Sequence, residues 1–217
     1  MQARSIANPI NDLREIRGLM ERSRYFIGLS GLSGIGAGIC ALLGVATVMA
    51  YRFVGGYYVV FFSYGRGYSE NHPWGIQPLP FIALTGILTL LGALLCGFYF
   101  TSRRAKAHGQ ELFHTKAYQL LFHLCVPLVV GGVFSLALLY HQHGGLIAPI
   151  TLIFYGLALI NGSRYAREEL SYLGYMEVVL GLISAFFIGY GLYFWAVGFG
   201  FLHIAYGVWM YQKYDRA

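Results

Sequence analysis

Glu177 and His203 are the side chains whose chemistry stands out, because each falls inside a long apolar run. Glu177 lies about one turn inside the end of its run, and His203 near the middle of the next. Charge is expensive in such surroundings, so these groups either pair with a neighbour or mark the path of an ion or proton. The expected neighbour of Glu177 is Arg164 or Arg167. That of His203 is Tyr155, which sits at similar depth. His203, Tyr155 and Glu177 are thus the candidate lining of a substrate or ion pathway. His123 is the other histidine inside an apolar run. With His203 it offers two ligands for a haem b, since bundles hold cofactors between facing helices. Their depths differ by about 6 Å, which works against that pairing. No other cofactor is expected.

Further chemical signals are sparse. His72, His108, His114, His141 and His143 fall in loops or at the ends of runs, and His141-Gln-His143 alone is a weak metal signal. Cys40, Cys96 and Cys125 all lie inside apolar runs, with no disulfide framework or metal-ligand spacing. The sequence has no HExxH, no phosphate-binding loop and no GxSxG elbow. An enzyme is the least expected class, and no metal site is expected.

The elements that must position these groups follow from composition. Hydrophobic residues make up 57% of the 217 and charged residues 11%, against about 25% charged in soluble domains. Too little charge remains to coat a water-facing surface, so lipid must cover much of it. The expected fold is all-α: a polytopic membrane bundle of six helices in three hairpins. Its spans fall at about 26–50, 80–101, 118–140, 146–162, 173–189 and 195–211, a single transmembrane domain over 26–217. Residues 1–25 form a leader with an Asn8-Pro9 helix start and apolar residues at helical spacing, expected to lie on the membrane surface.

Orientation follows from the basic residues. With the leader inside, the inner segments hold Arg4, Arg14, Arg17, Arg22, Arg24, Arg103, Arg104, Lys106, Lys116, Arg164, Arg167, Lys213 and Arg216, while Arg52 and Arg66 remain outside. Lys and Arg resist translocation, so both termini are expected in the cytoplasm. The net charge of +6 is spent on this asymmetry rather than on a nucleic-acid surface. The one long outer loop, Tyr51 to Leu79, is rich in Tyr, Phe and Gly and is expected to lie at the headgroup level.

Small residues mark helix contacts. Ser30, Gly34 and Gly38 recur at four-residue spacing in the first span, and Gly181, Ala185 and Gly189 repeat the pattern in the fifth. Such faces let helix backbones approach closely, within the chain or against a second copy. An internal repeat is also visible. Val129-Val-Gly-Gly-Val-Phe-Ser135 matches Val178-Val-Leu-Gly-Leu-Ile-Ser184, and Ile153-Phe-Tyr-Gly156 matches Ile204-Ala-Tyr-Gly207. It suggests a duplicated helical hairpin.

Glu15-Ile-Arg-Gly-Leu-Met-Glu-Arg-Ser23, running into Gly28-Leu-Ser-Gly-Leu-Ser-Gly34, resembles a group of six-span bacterial inner-membrane proteins without an assigned activity. So do Gly145-Leu-Ile-Ala-Pro-Ile-Thr-Leu-Ile-Phe-Tyr-Gly156 and Trp195-Ala-Val-Gly-Phe-Gly. The resemblance implies a multi-pass protein of the bacterial inner (cytoplasmic) membrane and brings no site residues. The expected function is a non-enzymatic regulatory or accessory subunit, contacting the lipid bilayer and a membrane-protein partner or a second copy of itself. The alternatives are a transporter or channel for a small solute or proton, and a haem-binding electron carrier.

Overall fold

The computed structural model describes residues 31–54, 75–107 and 115–214. The amphipathic leader, Ser30, most of the aromatic loop, His72, His108 and His114 lie outside them. Six helices are long and apolar enough to cross a membrane, and the described residues contain no strand. They are α1 (Gly31–Val54), α2 (Pro78–Ala107), α3 (Thr115–Tyr140), α4 (Ile147–Gly162), α5 (Glu169–Phe186) and α6 (Gly191–Tyr214).

Two bounds differ from expectation in ways that matter. α5 begins at Glu169 rather than near 173, with Glu169 in its first turn, where a carboxylate complements the helix dipole. It stops at Phe186, and Gly189 is a turn residue at φ +102°, a conformation suited to glycine. Gly189 therefore redirects the chain instead of packing a helix face. α6 is not uniform. Gly191–Trp195 is α-helical, Ala196–Leu202 is π-helical, and His203–Tyr214 is α-helical again. A π segment widens the helix and re-aims the side chains that follow it.

α4 and α5 pack most closely and form the centre with α6, while α2 leans on α1 and α3 on α4. α5 and α6, expected as a hairpin, touch chiefly through side chains, because α5 packs on α4 and α6 on α1. Much of the exposed helix surface is apolar, as at Leu88, Leu95, Phe122, Val129 and Val133. An apolar exterior around a thin core fits lipid as the surrounding solvent.

The α4/α5 and α6/α1 interfaces are near copies of each other. A β-carbon on Gly156 would stand 2.5 Å from Gly174 O, and one on Gly207 2.7 Å from Gly31 O. Seven residues along, Gly181 would meet Pro149 O at 2.9 Å and Ile153 Cγ1 at 2.7 Å. Gly38 would meet Gly200 O at 2.8 Å and Ile204 Cγ1 at 2.7 Å. Positions 149, 153 and 156 thus recur as 200, 204 and 207, and 174 and 181 as 31 and 38. Glycine at each crossing lets antiparallel backbones touch. The small-residue faces of α1 and α5, Gly34 included, are filled inside the chain.

Candidate functional site

The site lies where α4, α5 and α6 meet at mid-height. With α5 starting at Glu169, Glu177 is about 12 Å along the helix, more than two turns deep. Arg167 does not reach it; its guanidinium carbon lies 3.4 Å from the centre of the Tyr214 ring. Glu177 instead faces His203, with 3.5 Å between Oε1 and Nδ1. Its side chain is fully buried, and neither carboxyl oxygen has a hydrogen-bond partner.

His203, 6% exposed, is held at both ring nitrogens. Nδ1 lies 2.9 Å from Gly198 O and Nε2 2.7 Å from the Tyr155 hydroxyl. A carbonyl oxygen only accepts, so Nδ1 carries a hydrogen; in the neutral ring Nε2 then accepts from the Tyr155 hydroxyl. That Nδ1–H lies on the Glu177 side of the ring. The π segment makes this possible twice over. It supplies the Gly198 carbonyl to Nδ1, and its glycine leaves room for the acid, since a β-carbon at 198 would stand 2.5 Å from Glu177 Oε2.

Above the site the column continues in aromatic rings. Phe199 stacks on His203 at 6.0 Å and lies 5.0 Å from both Tyr155 and Trp195. Trp195 Nε1 donates to Thr151 Oγ1 at 2.9 Å. Beyond Trp195 a cavity of about 320 Å³ opens among α1, α2, α4 and the start of α6. Two turns from Glu177 on α5, the hydroxyl of Ser184 is buried and unpartnered. Below the site, Glu169 accepts from Lys213 at 2.6 Å and from Tyr214 at 2.5 Å, tying the start of α5 to the end of α6.

The remaining candidates lie elsewhere. His123 stacks on Tyr165 at 4.6 Å, and Asn161 Nδ2 donates to its backbone oxygen at 2.9 Å. To share a haem, His203 would have to surrender Tyr155 or Gly198 and then meet a histidine the fold does not bring to it. Ala185 is half-buried beside Ser184 on α5, and His141 and His143 sit in the turn after α3. No group of three or more metal-ligating side chains exists among the described residues.

Gly198, Ser184 and the Glu169–Lys213–Tyr214 cluster were not singled out from sequence. A glycine in a Gly-rich apolar run and a serine on a helix carry little signal alone. Glu169 and Lys213 lie 44 residues apart, so only the fold pairs them. No known protein family, curated protein or solved structure matches the chain.

Proposed function

We propose that this is a multi-pass membrane transport protein that moves protons, alone or with a solute, through Glu177, His203 and Tyr155. The carrying observation is the Glu177 carboxyl group, fully buried at mid-helix with both oxygens unpartnered. An orphan carboxylate in hydrocarbon is too costly to serve packing, so it calls for a proton or another cation. The twin interface makes the same point. By the register that equates Gly174 with Gly31, the counterpart of Glu177 on α1 is Gly34, and that interface packs equally closely without an acid.

His203 then acts as a shuttle. Its Nδ1 proton passes to Glu177 after a small swing from the Gly198 carbonyl, while Nε2 takes the Tyr155 proton. Tyr155 is reprotonated by the next proton to enter the path, Glu177 releases its own, and a turn of the imidazole that carries the Nε2–H to the Glu177 side readies the next transfer. Imidazole suits this because its two nitrogens exchange roles without net charge.

The expected regulatory or accessory role drew on the small-residue face of α1 and on the leader; α6 fills the first within the chain, and the leader lies outside the described residues. The bacterial inner membrane, with both termini cytoplasmic, remains the proposed setting. Arg103, Arg104, Lys106, Arg164, Arg167 and Lys213 gather at the end of the bundle opposite Arg52, as the positive-inside bias requires.

The test is proton movement in proteoliposomes carrying an internal pH dye, with infrared difference spectra on the same protein. Glu177→Gln and His203→Ala are expected to abolish flux, and Glu177→Gln to remove the protonated-carboxyl band. Wild-type flux in both folded variants would overturn the assignment.

A further inference from the structure

Each transfer to His203 leaves Tyr155 short of a proton, so the path needs a donor beyond it. The Tyr155 hydroxyl lies 2.7 Å from His203 Nε2 and makes no other hydrogen bond among the described residues. A hydroxyl that gives one proton away can accept another through its lone pairs. Among the described residues, the ionisable groups whose charge reaches Tyr155 are Glu177 and Tyr206. Glu177 stands at the other end of the relay, which leaves Tyr206.

Tyr206 stands between that site and the end of the bundle where the basic residues gather. On α6 it follows His203 by three residues, about 4.5 Å along the axis, and precedes Tyr214 by eight, about 12 Å. Tyr155 and Tyr206 pack against one buried cluster, which includes Leu159, Leu170 and Leu173. On its other side Tyr206 feels the charges of Glu169, Arg167 and Tyr214. Its own hydroxyl makes no hydrogen bond among the described residues, so it can take a proton from one side and pass it to the other. The two tyrosines also hold the same place in the related crossings, each one residue before the crossing glycine, Gly156 or Gly207.

We propose that Tyr206 is the proton donor to Tyr155 and joins the Glu177–His203–Tyr155 site to water at the basic end. The inference rests on the transport reading above and extends the path from its inner side. As Tyr155 gives its hydrogen to His203 Nε2, the Tyr206 O–H bond breaks and that proton goes to the Tyr155 oxygen. A hydronium ion at the basic end then returns a proton to the Tyr206 oxygen and leaves as water. Both phenols end neutral, which suits a relay through hydrocarbon.

Proton flux of the full chain in proteoliposomes, with infrared spectra of the same samples, tests this. Tyr206→Phe keeps the ring and removes the hydroxyl. It is expected to lower flux about a hundredfold, the lower end of what a positioned proton-transfer group contributes. The protonated-carboxyl band of Glu177 and the unfolding temperature should stay as in the wild type. Tyr206→Ala is expected to lose flux alike and to regain it with 4-methylphenol, which returns the hydroxyl. Toluene, which fills the same space without one, should restore nothing. Nor should 4-methylphenol restore flux to the Tyr206→Ala, Glu177→Gln double variant, which shows that the phenol does not itself carry protons across the lipid. Wild-type flux in Tyr206→Phe, or equal rescue by toluene, would overturn the proposal. If Glu177→Gln abolishes flux and Tyr206→Phe does not, the donor alone is wrong. If Glu177→Gln leaves flux intact, the transport reading itself fails.

Discussion

A single β-carbon separates a packed site from a broken one at position 198. It would sit 2.5 Å from Glu177 Oε2 and 2.6 Å from Leu152 Cδ2, and both neighbours are fully buried with little room to yield. Gly198→Ala is expected to destabilise the protein by about 1–3 kcal/mol, the usual range for overpacking. Because the carboxyl group must move, proton flux should fall further than stability alone explains. Thermal unfolding and flux on the same preparation check both halves. The His203–Tyr155 pairing was legible in the sequence, since two polar groups at equal depth in neighbouring spans have few other partners. Glu177 was placed too shallow, because an apolar-run boundary near 173 hid the four residues that α5 gains at its start. That error in depth pointed to the wrong neighbour, arginine where the structure sets His203 opposite the unpartnered carboxyl group.

At the scale of helices, glycine governs which pairs touch. Gly156→Ala and Gly207→Ala put a methyl group against backbone oxygen at 2.5 and 2.7 Å, so their costs should be alike, about 1–3 kcal/mol each. Gly132 has nothing within 4 Å of its β position, and Gly132→Ala should be neutral or stabilising by up to about 1 kcal/mol. Thermal unfolding of the three variants decides this, and unequal losses at 156 and 207 would mean the two crossings differ in strength. The sequence showed half of this pattern, in the Ile153–Gly156 and Ile204–Gly207 match. It did not show that α1 is the counterpart of α5, because two glycines seven residues apart are too common to signal a contact. The expected match of α3 with α5 has a different outcome, since Gly181 is packed against α4 and its counterpart Gly132 faces outward. The π segment was not legible either, for an apolar, Gly-rich run reads as ordinary helix.

At the scale of the whole bundle, the α6/α1 crossing brings the last of the described helices against the first of them. Gly31 lies against Tyr211, three residues before the end of α6, and the two helices run antiparallel as α4 and α5 do. The α4–α5 connection needs six residues, 163–168, to make the same step. The same short step would therefore join Tyr214 to Gly31. A circular permutant that joins Tyr214 to Gly31 through about six residues, and opens the chain between Ala107 and Thr115, is expected to insert and fold with the Glu177–His203–Tyr155 constellation intact. Retained proton flux with unchanged sensitivity to Glu177→Gln would show that the order in which these helices are synthesised does not determine how they assemble.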